Sequence, residues 1–246
     1  MANQKFILNY FNQTVVPVFQ GKVDLTELDR KRHYGYEVLG RINTNSNGLV
    51  SVGNYISLMN DINLIHDYTL IIINKTLSNL PPSLKYSTRL SFNIDSSSLN
   101  ILNFSRVLMD VIEVHQVPPE NITIEVTEYT LSRNEIKYIN LQLLRNFGVR
   151  LSIDDFGKDY SDWGELKFFD YDEVKLDRAF LHTDSLYEEK YFSDVIQFCK
   201  QNKIDLVAEG IESVEDEDFV RKNGIRFAQG FLYQKPKTID KIIYTV

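Results

Sequence analysis

Carboxylates and amides recur where short apolar runs of this chain end: Glu37, Asn93, Glu125, the pair Asp154 and Asp155, Glu209 and Gln229. One further run, "YDEVKLD", carries Lys175 and Asp177 instead. Any one of these acids, taken alone, reads most simply as a solvated loop residue. The set reads differently, because a ring of unpartnered carboxylates repels itself and raises its own pKa values. Hard divalent cations such as Mg²⁺ remove that cost, and they favour carboxylate, carbonyl and water oxygens. The pattern points to an oxygen-liganded metal site. The four histidines (His33, His66, His115 and His182) lie away from these run ends and have no paired spacing, which disfavours zinc held by imidazole. No G-x-x-x-x-G-K-[ST] loop and no G-x-S-x-G elbow is present, so nucleoside-triphosphate hydrolysis and serine esterase chemistry lose support.

Such residues work together only if the fold brings the run ends to one place. The runs are "YGYEVLGR", "TRLSFNID", "ITIEVTE", "VRLSIDDFG", "YDEVKLD", "DLVAEGIE" and "IRFAQGFLY". Between them lie amphipathic stretches such as "FSRVLMDVIEVHQV", "LSRNEIKYINLQLLRNFG" and "YFSDVIQFCKQNK". Strand alternating with helix predicts βαβ units and a largely parallel sheet. An opening run around "VVPVFQG" brings the strands to eight, the number in a closed barrel. An open doubly wound sheet is the rival, and the first βα turn lacks the Gly-rich dinucleotide fingerprint that would favour it. The expected fold is an α/β TIM-like (β/α)8 barrel, with room for an irregular first strand. In a parallel barrel the run ends converge on the face where barrel enzymes build their sites.

The bulk properties agree. A chain of 246 residues, 43% hydrophobic and 25% charged, has ordinary globular usage and ample length for one sizeable core. Its single cysteine, Cys199, rules out an internal disulfide framework and reads as a small buried hydrophobe. The start, "MANQKFILNYFNQ", lacks a signal-peptide pattern, and "YTLIII" is far short of the roughly 20 apolar residues that span a bilayer. A soluble, cytoplasmic protein with no membrane partner is expected. A net charge of −7 argues against broad binding of nucleic-acid polymers, yet bound divalent cations would still allow an anionic small molecule.

On these residues the sequence resembles the EAL-domain phosphodiesterases of bacterial cyclic di-GMP signalling. The family's E-x-L-x-R appears as "EVLGR" from Glu37 to Arg41, and its strand-end Asn as Asn93. Its E-x-T-E is Glu125 to Glu128, its DDFG is Asp154 to Gly157, and its K-x-D is Lys175 to Asp177. Its EG-x-E is Glu209 to Glu212, and its QG is Gln229 and Gly230. Seven motifs in order cover nearly the whole chain, which the resemblance makes a single EAL-like barrel domain over residues 1–246. It implies two divalent cations, Mg²⁺ or Mn²⁺. Glu37, Asn93, Glu125 and Asp154 would hold one, and Asp154 would bridge to a second held with Asp155 and Glu209. Lys175 and Gln229 would orient the attacking water, with Glu209 as the general base. Arg41 would contact a substrate phosphate, and Glu128 would brace the loop after DDFG. The implied reaction opens one phosphodiester of cyclic di-GMP to give the linear dinucleotide pGpG, in a protein that forms a homodimer.

The sequence departs from the family in two places. After DDFG the usual T-G-Y-S-S is replaced by Lys158, Asp159, Tyr160, Ser161 and Asp162, a loop that in the family supports the second metal and the dimer contact. The opening Q-P-I reads Val16, Pro17 and Val18, so the glutamine that helps hold the substrate is expected to be absent. The alternatives to an active enzyme are a silent domain that binds cyclic di-GMP as a receptor, or an adaptor that works through protein contacts.

Overall fold

The described part of the chain forms nine strands and ten α-helices, with three short 3-10 helices among them. The computed structural model describes residues 2–26, 32–44, 46, 48–127, 134–157, 163–179 and 186–243. The strands are β1 (Val15–Asp24), β2 (Arg32–Thr44), β3 (Gly48–Ser51), β4 (Arg89–Asn93), β5 (Ile122–Thr127), β6 (Arg150–Phe156), β7 (Glu173–Leu176), β8 (Asp205–Ala208) and β9 (Phe227–Gln229). The helices are α1 (Ala2–Thr14), α2 (Ile56–Asp61), α3 (Ile65–Asn79), α4 (Pro82–Lys85), α5 (Phe104–Val114), α6 (Glu135–Phe147), α7 (Trp163–Phe168), α8 (Leu186–Asn202), α9 (Val214–Lys222) and α10 (Ile239–Ile243).

Eight of the strands close a barrel. The order runs β1-β9-β8-β7-β6-β5-β4-β2, and β2 returns to pair with β1; β3 only extends β2 as a hairpin. All eight runs expected to be strands are strands, and the TIM-like class holds. Two features differ from a uniformly parallel barrel. β1 is antiparallel to both of its neighbours, β2 and β9, whereas the other barrel strands are parallel to one another. The short β3 was not anticipated, because "GLVS" offers too few residues for a periodic signal.

Side-chain alternation separates two environments. On β5, Ile122, Ile124 and Val126 are buried among the surrounding apolar groups, while Glu125 points the other way into the barrel interior, where lysines meet it. On β7, Val174 and Leu176 alternate with Glu173 and Lys175 in the same manner. The apolar face is covered by helices. On α5, Phe104, Leu108 and Ile112 recur every fourth residue and are buried. Local signals set the boundaries of α6: the Asn134 side chain accepts from Lys137 N at its start, and Gly148 ends it at φ 102°. Ser213 and Asp216 form a reciprocal capping box on α9, the helix that follows the Glu209 segment.

Candidate metal centre at the barrel mouth

Four barrel strands deliver five carboxylates to the open end of the barrel, Glu37 from mid-strand and the others at or near strand ends. Glu37 comes from β2, Glu125 from β5, Asp154 and Asp155 from β6, and Glu209 directly after β8. Consecutive strand residues normally face opposite ways. At β6 the register against β7 shifts between Ile153 and Phe156, and Asp155 adopts φ 55°. This bulge turns two adjacent acids toward the same mouth. Asp155 N then donates to Asp154 Oδ1 at 3.0 Å.

Two groups of three carboxylates result, and they share one member. Oxygens of Glu37, Glu125 and Asp154 lie within 4.8 Å of one another, as do those of Asp154, Asp155 and Glu209. Lys175 projects among them. Its Nζ is 2.8 Å from Asp154 Oδ1, 2.9 Å from Glu125 Oε2, 2.9 Å from Glu209 Oε1 and 3.4 Å from Glu37 Oε2. Amides complete the inner wall. Asn93 Nδ2 donates to Glu37 Oε1 and Gln229 Nε2 to Glu37 Oε2, both at 2.6 Å. Each amide thus turns its nitrogen to Glu37, and the oxygen is the atom that could meet a cation or water. Gln229 Oε1 is buried and has no hydrogen-bond partner among the described residues.

Electrostatics divides the acids. Burial pushes the carboxyls of Glu37, Asp154 and Glu209 above the usual range despite the nearby Lys175 ammonium, and Glu209 moves furthest. Burial acts on Glu125 too, but Lys175 and Lys22 outweigh it and hold that carboxyl down at about 2. Burial would likewise lower Lys175, yet the surrounding acids keep it firmly protonated. Two ammoniums, Lys175 and, on Glu125 alone, Lys22, set against five carboxylates leave the mouth short of positive charge. The donor set is all oxygen, an orphaned buried amide oxygen faces in, and one acid is shared between two triads. These residues fit two hard divalent cations.

Two cavities open at this end. One, of about 370 Å³, is lined by Gln20, Glu37, Asp154, Asp155, Lys175, Glu209 and Gln229, with Asp177 and Arg178 at its side. The other, of about 330 Å³, is lined by Arg41, Asn93, Asp95 and apolar residues including Ile56, Ile65 and Phe92. Asn93 and Arg41 belong to this second wall, and the Arg41 guanidinium donates to its own neighbour, Gly40 O, at 2.9 Å. Gly40 is required here: a Cβ on it would overlap the Tyr68 hydroxyl, which reaches into that space. Gly230, after Gln229, has the same necessity, because its Cβ would overlap the backbone of Ile211 beside the Glu209 segment.

The structure thus brings together Glu37, Asn93, Glu125, Asp154, Asp155, Lys175, Glu209 and Gln229. Glu128 and the substituted loop Lys158–Asp162 lie outside the described residues, as does His182. Cys199 is buried, as expected. One expectation is overturned. A glutamine does stand at the mouth: Gln20 on β1 pairs across from Glu37 and lines the larger cavity. Val16, Pro17 and Val18 lie earlier on the same strand, opposite Arg41, Gly40 and Leu39. Sequence reasoning also passed over Lys22, two residues further along. The available signal was a basic residue inside the β-rich run "VFQGKVDL".

Similarity to known proteins follows the same residues. A family model for the EAL domain matches residues 8–236. Over 237 residues the chain is 28% identical to the probable cyclic di-GMP phosphodiesterase PdeB of Escherichia coli K12, covering 96% of this chain and 43% of that protein. It is also 28% identical over 207 residues to the cyclic di-GMP phosphodiesterase RocR of Pseudomonas aeruginosa, covering 82% of this chain and 53% of that one. The chain therefore spans about half or less of the length of these relatives. Among solved structures, the EAL enzyme Bd1971 in its cAMP- and cyclic-di-GMP-bound form superposes with a TM-score of 0.87 at 27% identity, covering 99% of this chain and 67% of that one. A family match across nearly all of the barrel, on the strands that carry the clustered acids, means that this chain belongs to the EAL domain family.

Proposed function

We propose that the protein is a metal-dependent phosphodiesterase that hydrolyses cyclic di-GMP to linear pGpG. The observation that carries this reading is the pair of carboxylate triads sharing Asp154. Glu37, Asn93, Glu125 and Asp154 would hold one divalent cation, and Asp154, Asp155 and Glu209 the second. When bound, two such ions supply charge neutralisation for an in-line phosphoryl displacement and lower the pKa of water.

The chain's own residues do the rest. Arg41, in the cavity beside the triads, offers a planar fork of donors to a substrate phosphate. Glu209, whose carboxyl is raised by burial, accepts the proton of the attacking water at Oε1. Lys175 Nζ, 2.9 Å from that oxygen, holds the carboxylate in place and keeps its own proton. Gln229 Oε1 accepts a hydrogen bond from the same water. The water oxygen bonds to phosphorus, the bond from phosphorus to the 3′ oxygen breaks, and the proton passes to that 3′ oxygen. Glu128 would brace the loop Lys158–Asp162, and that loop would support the second metal and the dimer contact, as the family resemblance implies.

Purified protein incubated with cyclic di-GMP and Mg²⁺ or Mn²⁺ should form pGpG, and EDTA should stop it. Folded protein that binds cyclic di-GMP but yields no product would make it a receptor, and absence of binding would make it an adaptor. The reading also expects a cytoplasmic protein, in keeping with the lack of any helix among the described residues long and apolar enough to cross a membrane. It expects a homodimer as well; sedimentation velocity at micromolar concentration checks this, and a purely monomeric boundary would refute it.

A further inference from the structure

Below the mouth lies a second charged layer that the proposed reaction does not use. The Lys22 side chain is 1% exposed and points from β1 into the barrel interior. Its Nζ donates to Ser91 Oγ at 2.8 Å, to Glu125 Oε1 at 2.8 Å and to Glu173 Oε1 at 2.5 Å. An ammonium has three N–H donors, and all three are satisfied. Glu173 is held in turn by the Tyr34 hydroxyl, which donates to Oε2 at 3.0 Å. Five strands (β1, β2, β4, β5 and β7) thus meet in one buried polar cluster.

Stability is a poor reason for such a cluster. Burying paired charges costs so much desolvation that apolar residues of like volume are often as stable or more so. A Lys and a Glu at adjoining interior positions could be replaced together by packing side chains. What the cluster does is divide the two oxygens of Glu125. Oε1 is tied downward to Lys22, while Oε2 accepts from Lys175, whose Nζ also lies beside Glu37 Oε2 and Asp154 Oδ1. With one oxygen anchored, the carboxylate cannot turn about its terminal torsion, which is otherwise broad and soft.

We infer that Lys22, braced by Glu173 and Tyr34, is a positioning residue that fixes Glu125 as a one-oxygen ligand for a divalent cation at the mouth. The inference rests on the metal reading of the site. It assigns Lys22 no contact with substrate or water, only control of a ligand's orientation. Hydrogen-bond partners that orient metal-ligating side chains commonly govern about 10- to 100-fold in metal affinity.

The test removes both charges together. Lys22→Met alone leaves Glu173 and Glu125 short of a partner and should destabilise the barrel. Lys22→Met/Glu173→Leu should recover much of the melting temperature, because Glu173's charge goes with that of Lys22 and Glu125 keeps its pairing with Lys175 through Oε2. Mn²⁺ binding is then measured by titration calorimetry, without substrate. Positioning predicts that the refolded double variant binds Mn²⁺ about tenfold more weakly than the unaltered protein. A purely structural ion pair predicts unaltered affinity once stability returns, and that result overturns the inference while leaving the metal reading intact. Tighter binding overturns it too, since it would mean that Lys22 acts only as a competing charge. No Mn²⁺ binding by the unaltered protein refutes the metal reading and this inference with it. If the double variant does not fold, Glu173→Gln carries the test, because it loosens Lys22 without leaving a buried negative charge. A smaller weakening is expected there, and unchanged affinity refutes the role.

Discussion

Glu37 shows how much one side chain carries. It accepts hydrogen bonds from Asn93 and Gln229, sits 3.4 Å from Lys175, and belongs to the first carboxylate triad. Glu37→Ala should abolish metal-dependent turnover. It strands two amide donors, each worth about 1–3 kcal/mol if left unsatisfied, but it also removes a carboxylate that burial disfavours. The fold should therefore survive, as circular dichroism can check; undiminished turnover would sink the ligand role. Arg41 separates binding from chemistry. It lines the neighbouring cavity and forms no ion pair with the acids among the described residues, so Arg41→Ala should raise KM for cyclic di-GMP while Mn²⁺ affinity stays unchanged. Equal nucleotide binding by both proteins would remove Arg41 from the substrate site.

At the scale of elements, the bulge in β6 is the device on which the second triad depends. Asp155 sits at φ 55°, a left-handed conformation that costs a non-glycine residue about 1–2 kcal/mol. Asp155→Gly keeps that backbone without the Cβ penalty, so the protein should be at least as stable in a denaturant titration yet lose turnover. Asp155→Ala should lose turnover and also be less stable than the glycine variant, by about 1 kcal/mol. Equal stability of the two would show that the bulge stores no strain. The reversed β1 is the other decisive element. Because it runs against β2, the residues Gln20 and Lys22 enter the interior from the mouth downward, one to each layer.

For the whole molecule, the acids couple metal, pH and stability. Glu37, Asp154 and Glu209 have carboxyls raised in the fold, Glu209 most. A raised group binds its proton more tightly folded than unfolded. Its contribution is therefore full below the usual carboxylate range and is lost as pH rises through the raised folded value. Glu125, held at about 2, has the opposite sign: its contribution is present above the usual value and fades as pH falls toward about 2. Cations bind the deprotonated ligands, so the rise in melting temperature caused by Mn²⁺ should be larger at about pH 8 than at about pH 5.5. Differential scanning calorimetry would measure this, and a shift independent of pH would contradict the ligand assignment. The same scan should give one cooperative transition if residues 1–246 are a single barrel domain, and two resolved transitions would refute that.

The eight strand runs, the class of barrel and the identity of the clustered acids can be read from the order of the amino acids alone. These were legible because each run is a local pattern and each acid stands where such a pattern stops, so placement needs only the rule that barrel strands end at one face. Tertiary structure decided what depends on partners far apart in the chain. The antiparallel setting of β1 rests on pairing with β2 and with β9, some 200 residues away, and that pairing places Gln20 at the mouth. The turning of Asp154 and Asp155 to one side required a register shift against β7. Lys22 looked like a stray charge in a β run, and only closure of the barrel brings Ser91, Glu125 and Glu173 around it. Local patterning records which way a residue must face, but not what it will meet there, and charge chemistry is set by what is met.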